Sequence, residues 1–412
     1  MPTLQRATLS SVFALLLGYG LMQMGNTFQG TLLSIRGGIE DFSTAQIGAV
    51  GSGFWAGIVI GSLRCGRWIP RIGHIRAFLA LGAIASIAPL VHLLVIDPVS
   101  WVVARAVTGF CFAGLFIVVE SWLNGAATDQ TRGQILSVYG MTGLFAGIIG
   151  QLLLPAMNAG SFRPFCVIAI IIAIALVPIA LTRAVAPAQQ GGTVQINLRR
   201  LYQQSPFGVV TAVFCGATTS AFFALGPIYA QELGLDTAGV AIFMACGTLG
   251  GFALTWPLGW LSDRIDRRLV IIGAAIVAAV TLLVLAMVVP KDAPHSILYL
   301  CIAIVGGTIV PTYSVVIAHV NDSVGKGEFA ATSGGLLIVQ GVGSVIGPLI
   351  AGFAMSYLHR GLAFTIISAQ ILIAVFGLYR IRRRAVIPGI SKRTFVVEPP
   401  VPVGTTLKES AS

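Results

Sequence analysis

RAVTGFCFAGLFIVVESWLNG occupies residues Arg105 to Gly125, with one arginine at its start, one glutamate near its end and no other charge between them. A hydrocarbon core about 30 Å thick needs about 20 apolar residues of helix to cross it, and backbone amides in lipid must bond within their own segment. This stretch therefore reads as a membrane-spanning helix. Of the whole chain, 56% is hydrophobic and only 9% charged, and mean hydropathy is +0.91, a composition from which no water-soluble surface can be built. Charge-free runs recur at 133–162, 164–182, 201–231, 269–290, 329–359 and 361–379. They lack the alternation of polar and apolar residues that barrel strands require, so the fold class is all-α and integral to the membrane.

Runs and breaks together predict twelve spans near 9–34, 45–63, 77–95, 99–124, 134–157, 164–183, 207–230, 239–261, 269–289, 297–319, 329–357 and 362–379. Twenty of the 25 Lys and Arg residues then fall on one side, four on the other, and Arg105 lies inside a span. The positive-inside rule puts both termini in the cytoplasm of a cell whose inner membrane holds the chain. The net charge of +11 thus records orientation and contact with anionic lipid, not a nucleic-acid partner.

The longest hydrophilic connection, 184–206, has six spans on either side. It reads as a cytoplasmic linker between halves at 1–183 and 207–384, followed by a tail, 385–412, expected to be disordered. Two echoes support duplication. GRWIPRIGHIR (Gly66–Arg76) follows the second span and GWLSDRIDRR (Gly259–Arg268) the eighth; GLFAGIIG (Gly143–Gly150) lies in the fifth and GSVIGPLIAG (Gly343–Gly352) in the eleventh. Paired six-span repeats are how many secondary carriers are built.

GWLSDRIDRR resembles the signature loop of the major facilitator superfamily, matching at Gly259, Asp263, Arg264, Arg267 and Arg268, with Asp266 in place of the second glycine. RAVTG, with Arg105 and Gly109, resembles the motif of that family's fourth span, and GSVIGPLIAG the glycine-proline signature of its drug antiporters, shifted from the fifth span to the eleventh. VVESWLN (Val118–Asn124), GNTFQGTLLSIRG (Gly25–Gly37) and RIGHIRAF (Arg71–Phe78) are similar to the YcaD-like branch. The resemblance implies two pseudo-symmetric six-helix bundles and alternating access, with spans 1, 4, 7 and 10 around a central cavity. The polar and aromatic residues of those spans are Gln23, Asn26 and Gln29; Arg105, Phe112 and Phe116; Thr218, Thr219, Phe222 and Phe223; and Thr308, Thr312 and Tyr313. One cation among amides, hydroxyls and rings suits a small neutral or anionic organic solute.

A charge as deep as Arg105 must meet a cavity or a partner. No carboxylate lies at its depth in another span, so the amides of Gln23, Asn26 and Gln29 are the expected partners. Arg105 then serves anion binding or proton-linked switching, or is held structurally by carbonyls and water. Glu120, about 22 Å further along the helix, is expected near the inner boundary, either as a gate ion pair with Arg71, Arg67 or Arg132, or as a proton carrier. Asp263, Arg264, Arg267 and Arg268 form either an inner-gate latch or a solvated loop. Gly109, Gly147, Gly343 and Gly347 suit close helix packing, and Pro348 a hinge or a passive bend.

The expected function is a monomeric secondary carrier, proton-coupled, with efflux ahead of import of an organic anion or amino acid. No GxxxxGK[ST] phosphate cradle exists to drive a pump. An intramembrane enzyme would need clustered acids or histidines; His92 and His319 near span ends are the residues to check against Glu120. A non-transporting sensor or scaffold is the other rival. The six cysteines are too scattered to predict a disulfide or metal site, and no cofactor is implied.

Overall fold

The computed structural model describes residues 2–127, 131–181, 194–287, 294–324, 329–383 and 405–407. The first half comprises α1 (Pro2–Ile39), α2 (Thr44–Ile72), α3 (His74–Leu94), α4 (Pro98–Ala126), α5 (Arg132–Leu152) and a sixth span split into α6 (Arg163–Ile174) and α7 (Val177–Ala180). A short α8 (Leu198–Gln204) leads into the second half: α9 (Pro206–Glu232), α10 (Thr237–Arg264), α11 (Arg267–Met287), α12 (His295–Asn321), α13 (Phe329–Tyr357) and α14 (Gly361–Arg383). Among the described residues, eleven helices are long and apolar enough to cross a membrane. The twelfth span is α1, whose hydropathy is diluted by Gln23, Asn26, Gln29 and Arg36.

Local chemistry sets the ends. Ser43 and Gln46 form a capping box at the start of α2. Asp97 accepts from the Ser100 amide at 2.8 Å, with Pro98 opening α4, and Asp236 accepts from Gly239 at 2.8 Å to open α10. Gly73, at φ 92°, takes the left-handed turn between α2 and α3 that a side chain would resist. The sixth span breaks because Pro178 offers no amide to the carbonyl of Ile174, which its ring would also crowd.

Two expected loops are mostly helix. Gly66 to Ile72 forms the last turns of α2, with Pro70 inside it, and Gly259 to Arg264 the last turns of α10. Long arginines let a helix continue beyond the apolar zone, since their stems stay on the helix while their heads reach water. At the fifth span the correction runs the other way: α5 stops at Leu152 and a 3₁₀ turn, Leu154–Ala156, follows.

Within each half the helices meet backbone to backbone at glycines. A Cβ on Gly53, Gly57 or Gly61 of α2 would strike Val102, Ala106 or Phe110 of α4, and one on Gly109 would strike the Phe54 carbonyl. The second half repeats the seam: Gly250 of α10 lies on Ala303 of α12, and Gly306 of α12 on Gly247. Gly343 and Gly347 of α13 likewise press on Val213 and Ala217 of α9. The same pairs of spans therefore pack in the same way in both halves, which is the pseudo-symmetry of the fold.

Between the halves, α2 packs on α13 and α5 on α10. Gly48 lies against the Pro348 carbonyl, Thr44 Oγ1 donates to the Gly352 carbonyl at 2.9 Å and lies 2.9 Å from Ser356 Oγ, and Ser34 Oγ donates to the Ala224 carbonyl at 2.6 Å. Phe145 and Phe252 stand 6.0 Å apart, and Gln151 Nε2 donates to Thr248 Oγ1 at 3.3 Å. These contacts sit toward the end of the molecule where α1 stops and α2 starts, away from the end that carries α8. Two three-residue strands, β1 (Val194–Ile196) and β2 (Thr405–Leu407), pair in parallel. The remainder of the expected disordered tail lies outside the described residues.

Candidate functional site

On α1, Gln23, Asn26 and Gln29 recur every three residues and so form one polar strip in an apolar helix. Opposite them α4 carries Arg105, which the Gly109 seam draws tightly onto α2. The guanidinium is buried; its Nη1 donates to Gln29 Oε1 at 3.3 Å, and its carbon lies 4.3 Å from the centre of the Phe54 ring. Three buried polar atoms of the strip have no hydrogen-bond partner among the described residues: Gln29 Nε2, Gln23 Oε1 and Asn26 Oδ1. A Cβ built on neighbouring Gly30 would meet nothing within 4 Å, so the strip borders open space. Buried amide atoms without a partner are costly, and a polar solute or water entering that space is what would satisfy them.

From Arg105 a series of ring contacts runs along the first half. Phe54 meets Phe112 at 6.2 Å, Phe112 meets Phe116 at 5.8 Å, Phe116 meets Tyr19 at 6.1 Å, and Tyr19 lies 4.3 Å from Tyr139. Tyr139 Oη donates to Glu120 Oε1 at 3.1 Å. Phe54, Tyr19 and Tyr139 carry no sequence signal for this role, since aromatic residues within apolar runs are ordinary core.

Glu120, expected either as a gate ion pair or as a proton carrier, is fully buried against Tyr139; among the described residues it forms no ion pair, and Arg67 and Arg71 are exposed on the last turns of α2. The side chain of Arg132 lies outside the described residues. The α4 helix turns Glu120 toward Tyr139 of α5, so the carboxylate points into protein.

The second-half residues contribute less than expected. Thr218 donates to the Phe214 carbonyl at 2.8 Å, Thr308 to that of Ile304 at 3.0 Å, and Thr312 to that of Thr308. Their hydroxyls are thus engaged by their own helices. Phe222 packs on Gly247 and Phe223, within the half, while Thr219 and Tyr313 are half-buried.

The signature-loop residues form a cluster inside the second half. Arg267, at the start of α11, contacts Asp322 at 2.8 Å, Asp263 at 3.0 Å and Ser262 at 3.0 Å. Arg268 pairs with Asp266 at 2.8 Å. Burial pushes the Asp266 carboxyl up, but the Arg268 hydrogen bonds outweigh it and hold the group below the usual carboxylate range. Arg264 is exposed and stacks on Trp260 at 3.7 Å. A Cβ built on Gly147 would meet Thr27 at an ordinary 3.4 Å, and Pro348 lies within α13 where it meets α2.

The two histidines are not brought together. His92 Nδ1 lies 2.6 Å from the Ala88 carbonyl, and His319 packs on Phe207 at 5.7 Å in the other half. Among the described residues no group of three His, Cys, Asp or Glu side chains could hold a metal, and the six cysteines are free.

Comparison with known proteins agrees with this architecture. YcaD of Escherichia fergusonii, an uncharacterized MFS-type transporter, is 26% identical over 373 residues, covering 90% of this chain and 95% of its own. The crystal structure of the nucleoside transporter NupG superposes with a TM-score of 0.78 at 13% identity, covering 92% of this chain and 100% of its own. That of a D-xylose–proton symporter gives 0.69 at 14% identity, covering 95% and 99%. Residues 15–313 and 207–410 match the Major Facilitator Superfamily. With two repeated halves and this family match, the chain belongs to the major facilitator superfamily and is a multi-pass membrane transporter, not an enzyme.

Proposed function

We propose that this chain is a secondary active transporter of the inner membrane that moves a small organic solute by alternating access, coupled to protons, with export as its direction. The halves at 1–183 and 207–384 rock about a cytoplasmic linker at 184–206, and both termini face the cytoplasm. The observation that carries this reading is Arg105, a buried guanidinium bonded to Gln29 in a strip of amides each of which has one buried polar atom without a partner among the described residues. A neutral or anionic solute meets that chemistry, because the cation attracts a carboxylate and the amides exchange hydrogen bonds with hydroxyl or amino groups. The glycine-proline run of α13, similar to that of drug antiporters, supports export.

A second reading is proton-coupled import of a small organic anion or amino acid, which the single positive charge at Arg105 also favours. Reconstitution into proteoliposomes separates the two. Uptake is followed with and without a pH gradient across organic anions, amino acids and amphiphilic drugs. Export by proton exchange predicts solute movement against an inward proton flow, and import predicts movement with it. Transport of none of the panel under either gradient counts against both.

A further inference from the structure

On the strength of that transport reading, we infer that Glu120, with Tyr139 and Tyr19, forms a proton-binding site separate from the solute site at Arg105, so that proton and solute do not compete for one group. Glu120 is 0% exposed. Its Oε1 accepts from Tyr139 Oη at 3.1 Å, and its Oε2 has no partner among the described residues. A buried carboxylate oxygen left without a donor is costly, and a proton on Oε2 turns the group into a neutral acid that bears burial. Tyr139 is itself buried, and Tyr19 from α1 closes over it. Three helices thus meet on one carboxyl group.

The groups facing it can be named helix by helix. The α5 helix brings Tyr139, and α1 brings Tyr19. From α2 come Cys65, placed against Gly114, and Arg67 and Arg71, which are exposed. From α3 comes His74, whose Nε2 lies 3.3 Å from Ser121 Oγ. Among the described residues no cation forms an ion pair with Glu120. Arg105 lies fifteen residues away on α4, about 22 Å along the axis, with Phe112 and Phe116 between them in the ring series.

The step is a simple proton release. The Oε2–H bond breaks, its electron pair stays on the carboxylate, and water takes the proton. The Tyr139 hydroxyl keeps donating to Oε1 in both forms, more strongly to the ionised one. Tyr139 is therefore a positioning residue, acting on the proton through Glu120.

Full-length wild type, Glu120→Gln and Tyr139→Phe are compared in proteoliposomes, with a solute that wild type carries. Two readouts are taken: accumulation driven by a pH gradient, and solute exchange at equal pH on both sides from about pH 5 to 9. Glu120→Gln is expected to lose gradient-driven accumulation, while its exchange continues with no dependence on pH. Tyr139→Phe is expected to keep both, with the midpoint of its rate–pH curve moved to higher pH. Equal loss of exchange and accumulation in Glu120→Gln, or accumulation that survives, overturns the inference. So does a wild-type half-saturation for solute that rises in proportion to proton concentration at constant maximal rate, which marks a shared site. Absence of all exchange in wild type overturns the carrier reading, and this inference with it.

Discussion

The charge cluster at the end of α12 permits a quantitative test. Arg267 and Asp322 meet at 2.8 Å with side chains 1% and 3% exposed, whereas Asp263, 3.0 Å from the same guanidinium, is 29% exposed. Asp322→Asn keeps the shape and removes the charge, leaving a buried guanidinium balanced by a partly solvated carboxylate. Removing one partner of a buried pair costs about 3–5 kcal/mol, and since Asp263 remains, the lower figure of about 3 applies. Asp263→Asn removes a pair with one foot in solvent, for which about 0–1 kcal/mol is the measured range. The two variants should therefore differ by at least about 2 kcal/mol, about 30-fold in the folding equilibrium. Thermal unfolding of the purified protein in detergent, at one scan rate, reads this as a clearly lower Tm for Asp322→Asn. Combining Asp322→Asn with Arg267→Met should restore part of the loss, because the stranded charge is gone. A Tm for Asp263→Asn as low as that for Asp322→Asn would refute the premise that burial sets the strength of these pairs.

Three further outcomes are expected. Arg105→Met should weaken an anionic solute by about 10- to 100-fold, since a hydrogen bond to a charged group is worth about 1.5–3 kcal/mol; an unchanged half-saturation in exchange assays would remove Arg105 from the solute site. Gly57→Val, which drives a side chain into the Ala106 backbone, should cost about 1–3 kcal/mol, whereas Gly140→Ala, with nothing within 4 Å of the new carbon, should gain up to about 1 kcal/mol of helix propensity; Tm values in the reverse order contradict the seam. The backbone amide of Ser100 holds the Asp97 carboxyl below the usual carboxylate range. A lowered folded value means that its contribution is present above the unfolded pKa of about 3.9 and is lost as pH falls through the folded one, so Asp97→Asn should flatten the acid limb of the Tm–pH curve.

The spans were legible because a run such as 201–231 has only one low-energy form in lipid, and the halves because their charge-bearing ends repeat. The partner of Arg105 was legible for a related reason: a charge at that depth must be met, and only α1 offers amides near it. What could not be read was rotation about each axis. Glu120 was placed by depth, but whether it faces water or Tyr139 depends on how α4 turns against α5, and no periodicity records that in helices apolar on all sides. The hydroxyls of Thr218, Thr308 and Thr312 illustrate the same gap, since a threonine in an apolar helix can serve a cavity or its own backbone. The last turns of α2 and α10 were hidden by their arginines, which mark where the lipid ends and not where the helix ends.

Where α2 meets α13, Gly48 and Gly352 put bare main chain at the contact, so the joint is smooth at that point. Three hydrogen bonds join the halves on that face, two at Thr44 across this joint and one from Ser34 of α1 to the Ala224 carbonyl of α9 beside it. At about 0.5–1.5 kcal/mol net apiece, they resist separation by about 2–5 kcal/mol. A metabolite held at millimolar to micromolar strength brings about 4–8 kcal/mol. Part of that, expressed as preference for one shape over the other, is enough to part such a hinge. On the proposed alternating-access reading, friction at the joint is small, and cycling speed is left to how unequally the two shapes grip their cargo.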